Sequence, residues 1–404
     1  MNSYVEESVK RTPVSDEYDI VIVGGGIAGI SAALAAARNG AESILLIEKQ
    51  FGLGGLATLG LITIFLPICD GNGHQVCFGI SEELLRMSIL HGYEKAYPKA
   101  WLENGTLEEK IKHRFCVQYN GNVFSLLMER EMLKNSVDLL YGTYVCDVTV
   151  VGDRISSVII ENKSGRSAIK AKKVIDTSGD ADIFVYTKME TQLYTSKTPL
   201  AAWYYSYVDG SVRLNQLGAA DSVKDFSDSG YNGGPDKLSS MYFNGADAKE
   251  LTELVLESHK VLLDNFLLHG GITEEHSLTT VASIPQVRMT RKIVGETALD
   301  EIAFIEYEDS IGMTGDWRKR GPVFEIPFST LHNGKIKNLI TAGRSISTTD
   351  NMWDVTRVIP GCTVTGEAAG TAAAMTDDFS AINIKELQSR LVQNGVKLHI
   401  SDVL

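Results

Sequence analysis

Three glycines and one acidic residue have the most specific chemical meaning in this sequence. Gly24, Gly26 and Gly29 have the spacing of a dinucleotide-binding turn, and Glu48 follows about 20 residues later. In such a turn the first glycine permits a tight bend, the second lets a diphosphate approach the backbone, and the third lets a helix pack closely on a strand. A carboxylate at this distance can hold both ribose hydroxyls. The spacing therefore predicts a bound dinucleotide and disfavours a glycine-rich turn without a ligand.

The elements that would position these residues can also be predicted. Residues 18–23 form a short β-branched run typical of a buried parallel strand. Residues 30–38 are rich in Ala and Leu, which favours a helix, and residues 44–47 form a second apolar strand that ends at Glu48. The N-terminus of that helix would present N–H groups and the positive end of its dipole to a diphosphate.

The charge balance narrows the range of partners. Among the 404 residues, 38 are Lys or Arg and 51 are Asp or Glu, which gives a formal net charge of −13, and no basic run offsets this negative charge. This balance argues against nucleic acid as a partner. The length leaves room for roughly two or three domains, or for one large α/β domain with insertions.

The cysteines predict a reducing compartment. Their number is odd and no C-x-x-C pair occurs, which argues against a disulfide framework. Cys69, His74 and Cys77 lack a fourth ligand for a zinc site, so no metal is expected. The complete set is Cys69, Cys77, Cys116, Cys146 and Cys362.

The sequence shows neither a signal peptide nor a membrane span. Residues 1–17 are polar, look like a loose lead-in, and lack the apolar core of a signal peptide. The longest apolar run, residues 56–69, is interrupted by glycine, proline and threonine and is too short to cross a bilayer. These observations predict a cytoplasmic protein with no membrane partner.

The order of elements predicts an α/β fold in which a Rossmann-like domain is interrupted by other segments. Its parallel sheet would be joined by a β-meander at residues 148–171, where Gly-Asp and Ser-Gly turns separate short strands. Single strands are predicted over 137–145, 174–176 and 338–341. The nucleotide-binding domain would comprise residues 16–60, 125–190 and 329–380, an α+β substrate or cap region residues 61–124 and 191–328, and a C-terminal helical segment residues 381–404.

Helical patterns account for much of the remaining sequence. The segments are 81–92, 123–135, 246–269, 363–375 and 384–398. The fourth is rich in Ala and Gly and follows a turn at Pro360 and Gly361, so its N-terminus would lie at that turn.

Five motifs occur together in an order that resembles one family. They are Gly24-x-Gly-x-x-Gly29 with Glu48-Lys49, Gly54-Gly55-Leu-Ala-Thr58, Val174-Ile-Asp-Thr-Ser-Gly-Asp-Ala-Asp182, Asn338-Leu-Ile-Thr-Ala-Gly-Arg344 and Arg357-Val-Ile-Pro-Gly-Cys-Thr-Val-Thr-Gly-Glu-Ala-Ala-Gly370. This set resembles the bacterial FAD-dependent oxidoreductases whose fold is akin to the flavoproteins of fumarate reductase and succinate dehydrogenase. The resemblance covers most of the nucleotide-binding domain and says little about residues 190–280.

The resemblance implies where FAD would be held, and it assigns a set of cofactor-binding residues. These are Gly24, Gly26 and Gly29 with Ile27 and Ala28 at the diphosphate; Glu48 with Lys49 at the adenosine ribose; Gly54, Gly55 and Thr58 at the diphosphate and ribityl chain; Val145 at adenine; Ser178, Gly179 and Asp180 over the adenosine half; Gly343 and Arg344 at the ribityl chain; and Cys362, Thr363 and Val364, through backbone N–H groups, at the flavin pyrimidine edge. A helix N-terminus at that edge would stabilise the negative charge of reduced flavin.

Two departures from the family pattern bear on the cofactor and the reaction. Succinate dehydrogenase-like flavoproteins attach flavin through a histidine near the second glycine motif, but residues 54–60 contain no histidine. The resemblance therefore implies noncovalent FAD. The proton-delivery arrangement of fumarate reductases is not visible either, so dicarboxylate reduction is not assumed.

Four residues are candidates for catalysis. Arg288 and Arg291 are three apart and would share one face if their segment is helical; one of them could clamp a carboxylate or phosphate, or both could instead form salt bridges. His74 follows a Gly-rich loop and could be a general acid or base, or a loop histidine without a role. Arg357 precedes the helix at the flavin and could offset the charge of reduced flavin.

These motifs favour an enzyme, an FAD-dependent oxidoreductase that transfers hydride between a small organic substrate and noncovalent FAD. One alternative is a flavin reductase or monooxygenase driven by NAD(P)H, although no second glycine triplet of this kind occurs. The other is a non-catalytic FAD-binding scaffold subunit, which is compatible with the small size of the predicted substrate region. The expected partner is a small-molecule substrate; the sequence assigns neither its identity, nor the electron acceptor, nor the oligomeric state.

Overall fold

The computed structural model describes residues 9–95, 97–218 and 238–404. Its strands are β1 (Val14–Val23), β2 (Ile44–Ile47), β3 (Ile64–Phe65), β4 (Tyr93–Lys95), β5 (Val117–Tyr119), β6 (Asp138–Leu140), β7 (Tyr144–Val151), β8 (Arg154–Asn162), β9 (Gly165–Asp176), β10 (Thr191–Leu193), β11 (Thr198–Pro199), β12 (Tyr204–Val208), β13 (Ser211–Asn215), β14 (Tyr242–Phe243), β15 (His276–Val281), β16 (Arg291–Ile293), β17 (Ser310–Gly315), β18 (Val323–Pro327) and β19 (Leu339–Thr341). Its α-helices are α1 (Ile27–Arg38), α2 (Ile80–Leu90), α3 (Lys99–Leu102), α4 (Leu107–Lys112), α5 (Gly121–Lys134), α6 (Asp182–Tyr186), α7 (Ala248–Leu268), α8 (Asp350–Thr356), α9 (Ile359–Met375) and α10 (Ile384–Gln393).

A seven-stranded sheet forms the core of the nucleotide-binding part. Strands β6, β2, β1 and β9 pair in parallel in that order, and β19 pairs in parallel with the end of β9. Strands β8 and β7 continue from β9 as an antiparallel meander. The predicted α/β class, with a parallel sheet plus a β-meander, is confirmed. Because the carboxyl ends of parallel strands meet at one edge, the loops after β1, β2, β9 and β19 come together there.

Strand β9 belongs to both the parallel part and the antiparallel part of this sheet. Its first part pairs antiparallel with β8, and its later part pairs parallel with β1. The prediction of a separate strand at 174–176 was wrong, because the chain continues without a break through Lys172 and Lys173. Lys173 is buried, and its Nζ lies 2.9 Å from Oδ1 of Asp19. A buried lysine with such a partner can be accommodated inside a strand.

The predicted strand over 137–145 is two strands. Strand β6 pairs in parallel with β2, whereas β7 pairs antiparallel with β8. Gly142 lies between them with a φ of 58°, a left-handed conformation that glycine adopts without steric cost. The chain therefore turns here from the parallel edge into the meander, a break that the apolar pattern of the segment hides.

Helices α1 and α9 approach each other closely through small residues. A Cβ atom added to Gly370 would overlap the main-chain oxygen of Ala32, and one added to Gly366 would lie 2.9 Å from Cβ of Ser31. Gly366 and Gly370 therefore permit the close packing of the two helices. Both helices also begin at the sheet edge where the strand-end loops meet, so their packing fixes two helix N-termini beside each other.

Several predicted boundaries move. Helix α9 begins at Ile359 rather than 363, because Pro360 occupies the first turn, where its missing N–H has no intrahelical partner to lose. Helix α10 ends at Gln393 rather than 398, and Gly395 follows it with a φ of 91°. Strand β1 begins at Val14, within the predicted lead-in. The predicted helices that became α1, α2, α5 and α7 are confirmed within three residues at each end.

In the described ranges, the predicted cap region contains small sheets together with helices α2, α3, α4 and α7. The sheets have the strand orders β13-β12-β15, β10-β16, β11-β14, β17-β18 and β3-β5-β4. This mixed character agrees with an α+β cap, while the predicted domain boundaries stay predictions. Residues 219–237, which belong to the predicted cap region, lie outside the described residues. None of the helices in the described part of the chain is both long and apolar enough to cross a membrane.

Candidate cofactor site

A cavity of about 370 Å³ lies where the loops after β1, β2, β9 and β19 meet. Its volume is within the usual range of small-molecule sites. Residues of the cap region, among them Leu251 and Ile284, also line it. The sequence-predicted cofactor residues that line it are Gly24, Gly26, Ile27, Ala28, Glu48, Lys49, Gly54, Gly55, Val145, Ser178, Gly179, Asp180, Gly343, Arg344 and Cys362. The structure thus brings together residues from three separated parts of the chain.

The three glycines after β1 have different surroundings. A Cβ atom added to Gly29 would overlap the main-chain oxygen of Gly24, so Gly29 permits helix α1 to pack on the turn. Gly24 has a φ of 108° and lies against the carbonyl of Thr177. A Cβ atom added to Gly26 would meet no atom within 4 Å, although Gly26 lines the cavity. The space beside Gly26 is therefore open to a ligand.

Glu48 is fixed at the cavity by backbone groups. Its Oε2 accepts a hydrogen bond from the N–H of Gly25 at 2.7 Å, and its Oε1 accepts one from the N–H of Gln50 at 2.7 Å. Glu48 as a whole is only 7% exposed to solvent. Each carboxylate oxygen has a further lone pair, so the same group can also accept from ribose hydroxyls.

The second glycine motif is bound directly to the first. The N–H of Gly54 donates to the main-chain oxygen of Gly25 at 2.8 Å. Thr58, predicted to touch the cofactor, is not among the described lining residues; its Oγ1 donates to the main-chain oxygen of Leu53 at 2.5 Å. Thr58 thus holds the loop that carries Gly54 and Gly55.

The loop after β9 is organised by Asp176. Its Oδ1 accepts from the N–H of Ser178 at 3.0 Å, and its Oδ2 accepts from the N–H of Ile183 at 2.9 Å. Full burial, with repulsion from Asp182 as a smaller cause, raises the pKa of Asp176 to about 6. On the meander side, the main-chain oxygen of Val145 accepts from the hydroxyl of Tyr186 at 3.2 Å.

The raised pKa of Asp176 predicts a pH dependence of stability. In the folded chain this carboxyl holds its proton below about pH 6, whereas an unfolded aspartate releases it above about pH 4. The contribution of Asp176 to the free energy of unfolding should therefore increase as the pH falls from 6 to 4 and be lost as it rises again, by up to about 3 kcal/mol. Urea unfolding of the wild type and of Asp176→Asn between these pH values measures it. Parallel pH curves for the two proteins would contradict this expectation.

Arg344 ties this loop to the cap region. Its Nε donates to the main-chain oxygen of Gly179 at 2.6 Å, and its Nη1 donates to the main-chain oxygen of Val287 at 2.9 Å. Its Nη2 lies 2.9 Å from Oδ1 of Asp180, which also accepts from the Thr290 hydroxyl. Burial would raise the pKa of Asp180, but the charge of Arg344 and the Thr290 hydrogen bond hold it below its usual value.

The last group of predicted cofactor residues lies at the N-terminus of α9. The prediction that Cys362, Thr363 and Val364 offer backbone N–H groups was wrong for Cys362, whose N–H donates to the main-chain oxygen of Val358 at 2.9 Å. Because the helix begins at Ile359, the N–H groups without an intrahelical partner precede Cys362. Thr363 and Val364 are buried and are not among the described lining residues.

The cation Arg357 and the thiol of Cys362 also line this end of the cavity. The Cys362 thiol donates to the main-chain oxygen of Arg357 at 3.3 Å. Burial raises the pKa of the thiol to about 12, so it stays protonated and is a poor nucleophile at neutral pH.

The other candidates for catalysis do not line the cavity in the described part of the chain. Arg288 and Arg291 are not on a helix, since Arg291 begins strand β16, and the shared face that a helix would give them does not form. Arg288 is buried, and its Cζ lies 5.2 Å from the ring centre of Trp203. Nη1 of Arg291 lies 3.7 Å from Oδ1 of Asp182. His74 is paired with Asp70, with 3.0 Å between Nδ1 and Oδ2.

The segment carrying those arginines nevertheless reaches the cavity through other residues. Ile284, Pro285, Val287 and Thr290 line it. The segment thus contributes to the cavity wall, although neither Arg288 nor Arg291 is among the described lining residues. In an irregular segment, nothing in the spacing says which residues face the cavity.

One group of residues in the described ranges has the geometry to hold a metal ion. Glu306, Glu325 and His399 each offer a ligand atom within 4.8 Å of the others. Glu325 already accepts backbone N–H groups, from Tyr307 and Ile400, at 2.8 Å each. The donor set is thus explained by hydrogen bonds within the chain, and none of its members lines the cavity.

The family model described as FAD dependent oxidoreductase matches residues 19–200 and 239–391. The chain belongs to this family. Its cofactor is FAD and its class is that of the oxidoreductases, as the motifs predicted.

Two curated relatives match parts of this FAD-dependent oxidoreductase. A thioredoxin reductase from Ureaplasma parvum is 33% identical over 95 residues, which are 24% of this chain and 28% of the relative. An NADH:fumarate oxidoreductase from Klebsiella pneumoniae is 24% identical over 236 residues, which are 51% of this chain and 24% of the relative. The chain thus spans about a quarter of the length of each relative.

Two solved structures have low similarity to this chain over most of its length. A geranylgeranyl bacteriochlorophyll reductase-like protein from Thermoplasma acidophilum has a TM-score of 0.46 and 14% identity, covering 94% of this chain and 84% of that chain. A glycine oxidase from Bacillus cereus has a TM-score of 0.40 and 11% identity, covering 92% and 98%. These likenesses are weak, so the fold assignment rests on the strand order and the family match.

Proposed function

We propose that this chain holds FAD noncovalently in the cavity described above and transfers hydride between the flavin and a small organic substrate. The observation that carries the proposal is the open space beside Gly26 at the N-terminus of α1. A helix N-terminus with a glycine backbone exposed to a cavity suits a diphosphate, because N–H groups and the positive end of the helix dipole both face it. The adjacent Glu48 carboxylate suits the ribose.

The residues around this space support one orientation of the cofactor. The adenosine half would lie along Glu48 and the loop that Asp176 organises, and the flavin half beside Arg357 and the N-terminus of α9. When bound, FAD supplies the hydride acceptor or donor. The chain would bind and orient it, keep the site closed on the cap side through Ile284 and Val287, and place positive charge near the flavin.

Noncovalent binding is supported by the chemistry of the wall. No histidine is among the described residues that line the cavity. The one lining thiol, that of Cys362, stays protonated because burial raises its pKa to about 12. We therefore expect trichloroacetic acid to release the flavin into the supernatant. Flavin that stays with the precipitated protein would show a covalent link and contradict this part of the proposal.

The redox role is tested by anaerobic reduction. Small polar metabolites, and separately NADH and NADPH, are mixed with the FAD-loaded protein, and the flavin absorbance is followed with free FAD as the control. We expect a metabolite to bleach the bound flavin faster than free FAD. Rapid bleaching by a nicotinamide alone would favour the reductase or monooxygenase alternative, and a flavin inert to every donor would favour the scaffold. The cytoplasmic location belongs to the same proposal and is supported by the odd number of cysteines and the lack of a C-x-x-C pair in the sequence.

A further inference from the structure

A buried cation lies at the proposed flavin end of the cavity. Arg357 connects α8 and α9, and its side chain, 7% exposed, lines the cavity beside Ile359 and Cys362. Arginine remains charged inside proteins. A flexible guanidinium can act on a bound group only if it is held in one place, so the contacts that hold it determine its effect.

The carboxylate that holds this cation belongs to Asp354. Nε of Arg357 donates to Oδ1 of Asp354 at 2.9 Å, and Nη2 donates to the same oxygen. The Asp354 side chain is 1% exposed, and within the described ranges its Oδ2 has no hydrogen-bond partner. The indole N–H of Trp317 donates to the main-chain oxygen of Asp354 at 2.9 Å and so fixes the end of α8.

A contribution to the stability of the fold is a weak explanation for the buried ion pair of Arg357 and Asp354. An exposed pair three residues apart on a helix contributes only a few tenths of a kcal/mol. For a buried pair, the cost of removing both charges from water offsets most of their attraction. Another cation, Arg318, lies nearby, but it donates to Asp316 and Glu301. The Asp354 carboxylate is therefore a specific partner of Arg357 at the wall of the cavity.

We propose that Asp354 is a positioning residue that fixes the Arg357 guanidinium beside the bound flavin. The inference rests on the proposed function, in which the cavity holds FAD. A cation fixed at this wall favours the reduced, more negative form of the flavin, and a cation free to swing away does not. The Trp317 ring, 6.0 Å from Cζ of Arg357, restrains it further.

The reduction potential of the bound flavin tests this role. Arg357→Gln should lower the potential, and Asp354→Ala should lower it similarly, because the guanidinium loses its anchor. Removal of a negative charge that acted directly on the flavin would do the opposite and raise the potential. Asp354→Asn keeps an acceptor for Nε and should restore the potential to at least the wild-type value. The double variant Asp354→Ala, Arg357→Gln should match Arg357→Gln alone.

Other outcomes decide against the inference. An unchanged or raised potential in Asp354→Ala would overturn it, since a purely structural residue leaves the potential unmoved. If Asp354→Ala does not fold, Arg357→Lys provides the test, because lysine keeps the charge but lacks the Nε–H that Asp354 accepts; a wild-type potential in that variant would overturn the inference. Failure of every protein to bind FAD would overturn the proposed function and the inference together. Normal FAD binding with one common potential would overturn the inference alone.

Discussion

Gly26→Val is expected to abolish FAD binding while leaving the fold intact. Gly26 has φ −71° and ψ 179°, a backbone conformation that valine adopts readily, and no protein atom lies within 4 Å of an added Cβ. The new side chain would occupy the space proposed for the diphosphate. Loss of two charge-assisted hydrogen bonds to the phosphates should weaken binding at least about 100-fold. Calorimetric titration of the apo-protein with FAD measures the affinity, and circular dichroism checks the fold.

A matched substitution three residues later separates ligand exclusion from misfolding. In Gly29→Val the added side chain would overlap the main-chain oxygen of Gly24 and disrupt the packing of α1 on the turn. This variant should lose both FAD binding and cooperative unfolding. Wild-type FAD affinity in Gly26→Val would show that the diphosphate lies elsewhere.

Arg344→Met should destabilise the apo-protein by about 3 kcal/mol. The guanidinium lies within hydrogen-bond distance of Gly179, Val287 and Asp180, so its removal takes a donor from two carbonyls and the nearest positive charge from a partly buried carboxylate. Urea unfolding measures the change. FAD affinity should fall as well, because the loop that carries Gly179 and Asp180 loses its anchor to the cap.

The Asp180 carboxylate accounts for part of the expected loss of stability in Arg344→Met, and a double variant measures that part. Asp180→Asn removes the unpaired charge, so Arg344→Met with Asp180→Asn should be more stable than Arg344→Met alone. Arg344→Lys keeps the charge but loses the planar set of donors and should fall between wild type and Arg344→Met. A change below about 0.5 kcal/mol in Arg344→Met, as for an ordinary surface substitution, would contradict the expected role.

The adenosine end of the site was predictable from local sequence. The strand, the glycine turn, helix α1 and Glu48 follow one another within 35 residues, counted from Val14 to Glu48, and each has a short-range signal. The same holds for the small residues of α9, whose role in packing follows from their size. In these segments local conformation and tertiary position agree, so pattern and structure coincide.

The flavin end was less predictable because its geometry depends on contacts between distant segments. The sequence predicts a turn at Pro360, whereas Pro360 lies in the first turn of α9, so the N–H donors lie about three residues earlier than predicted. Asp354 was missed although its spacing to Arg357 is a recognisable i, i+3 pair, because only burial distinguishes it from a surface salt bridge. His74 was selected for its chemistry alone, and its place beside Asp70 follows from a loop that no local signal directs to the cavity.

A crystal structure of the chain with FAD would show whether three separated parts of the chain form one FAD site. We expect the diphosphate to lie against the backbone of Gly26, the adenosine ribose against Glu48, and the flavin ring beside Arg357 and Ile359. FAD bound outside this cavity, or bound in it with the flavin ring at Glu48, would refute this site.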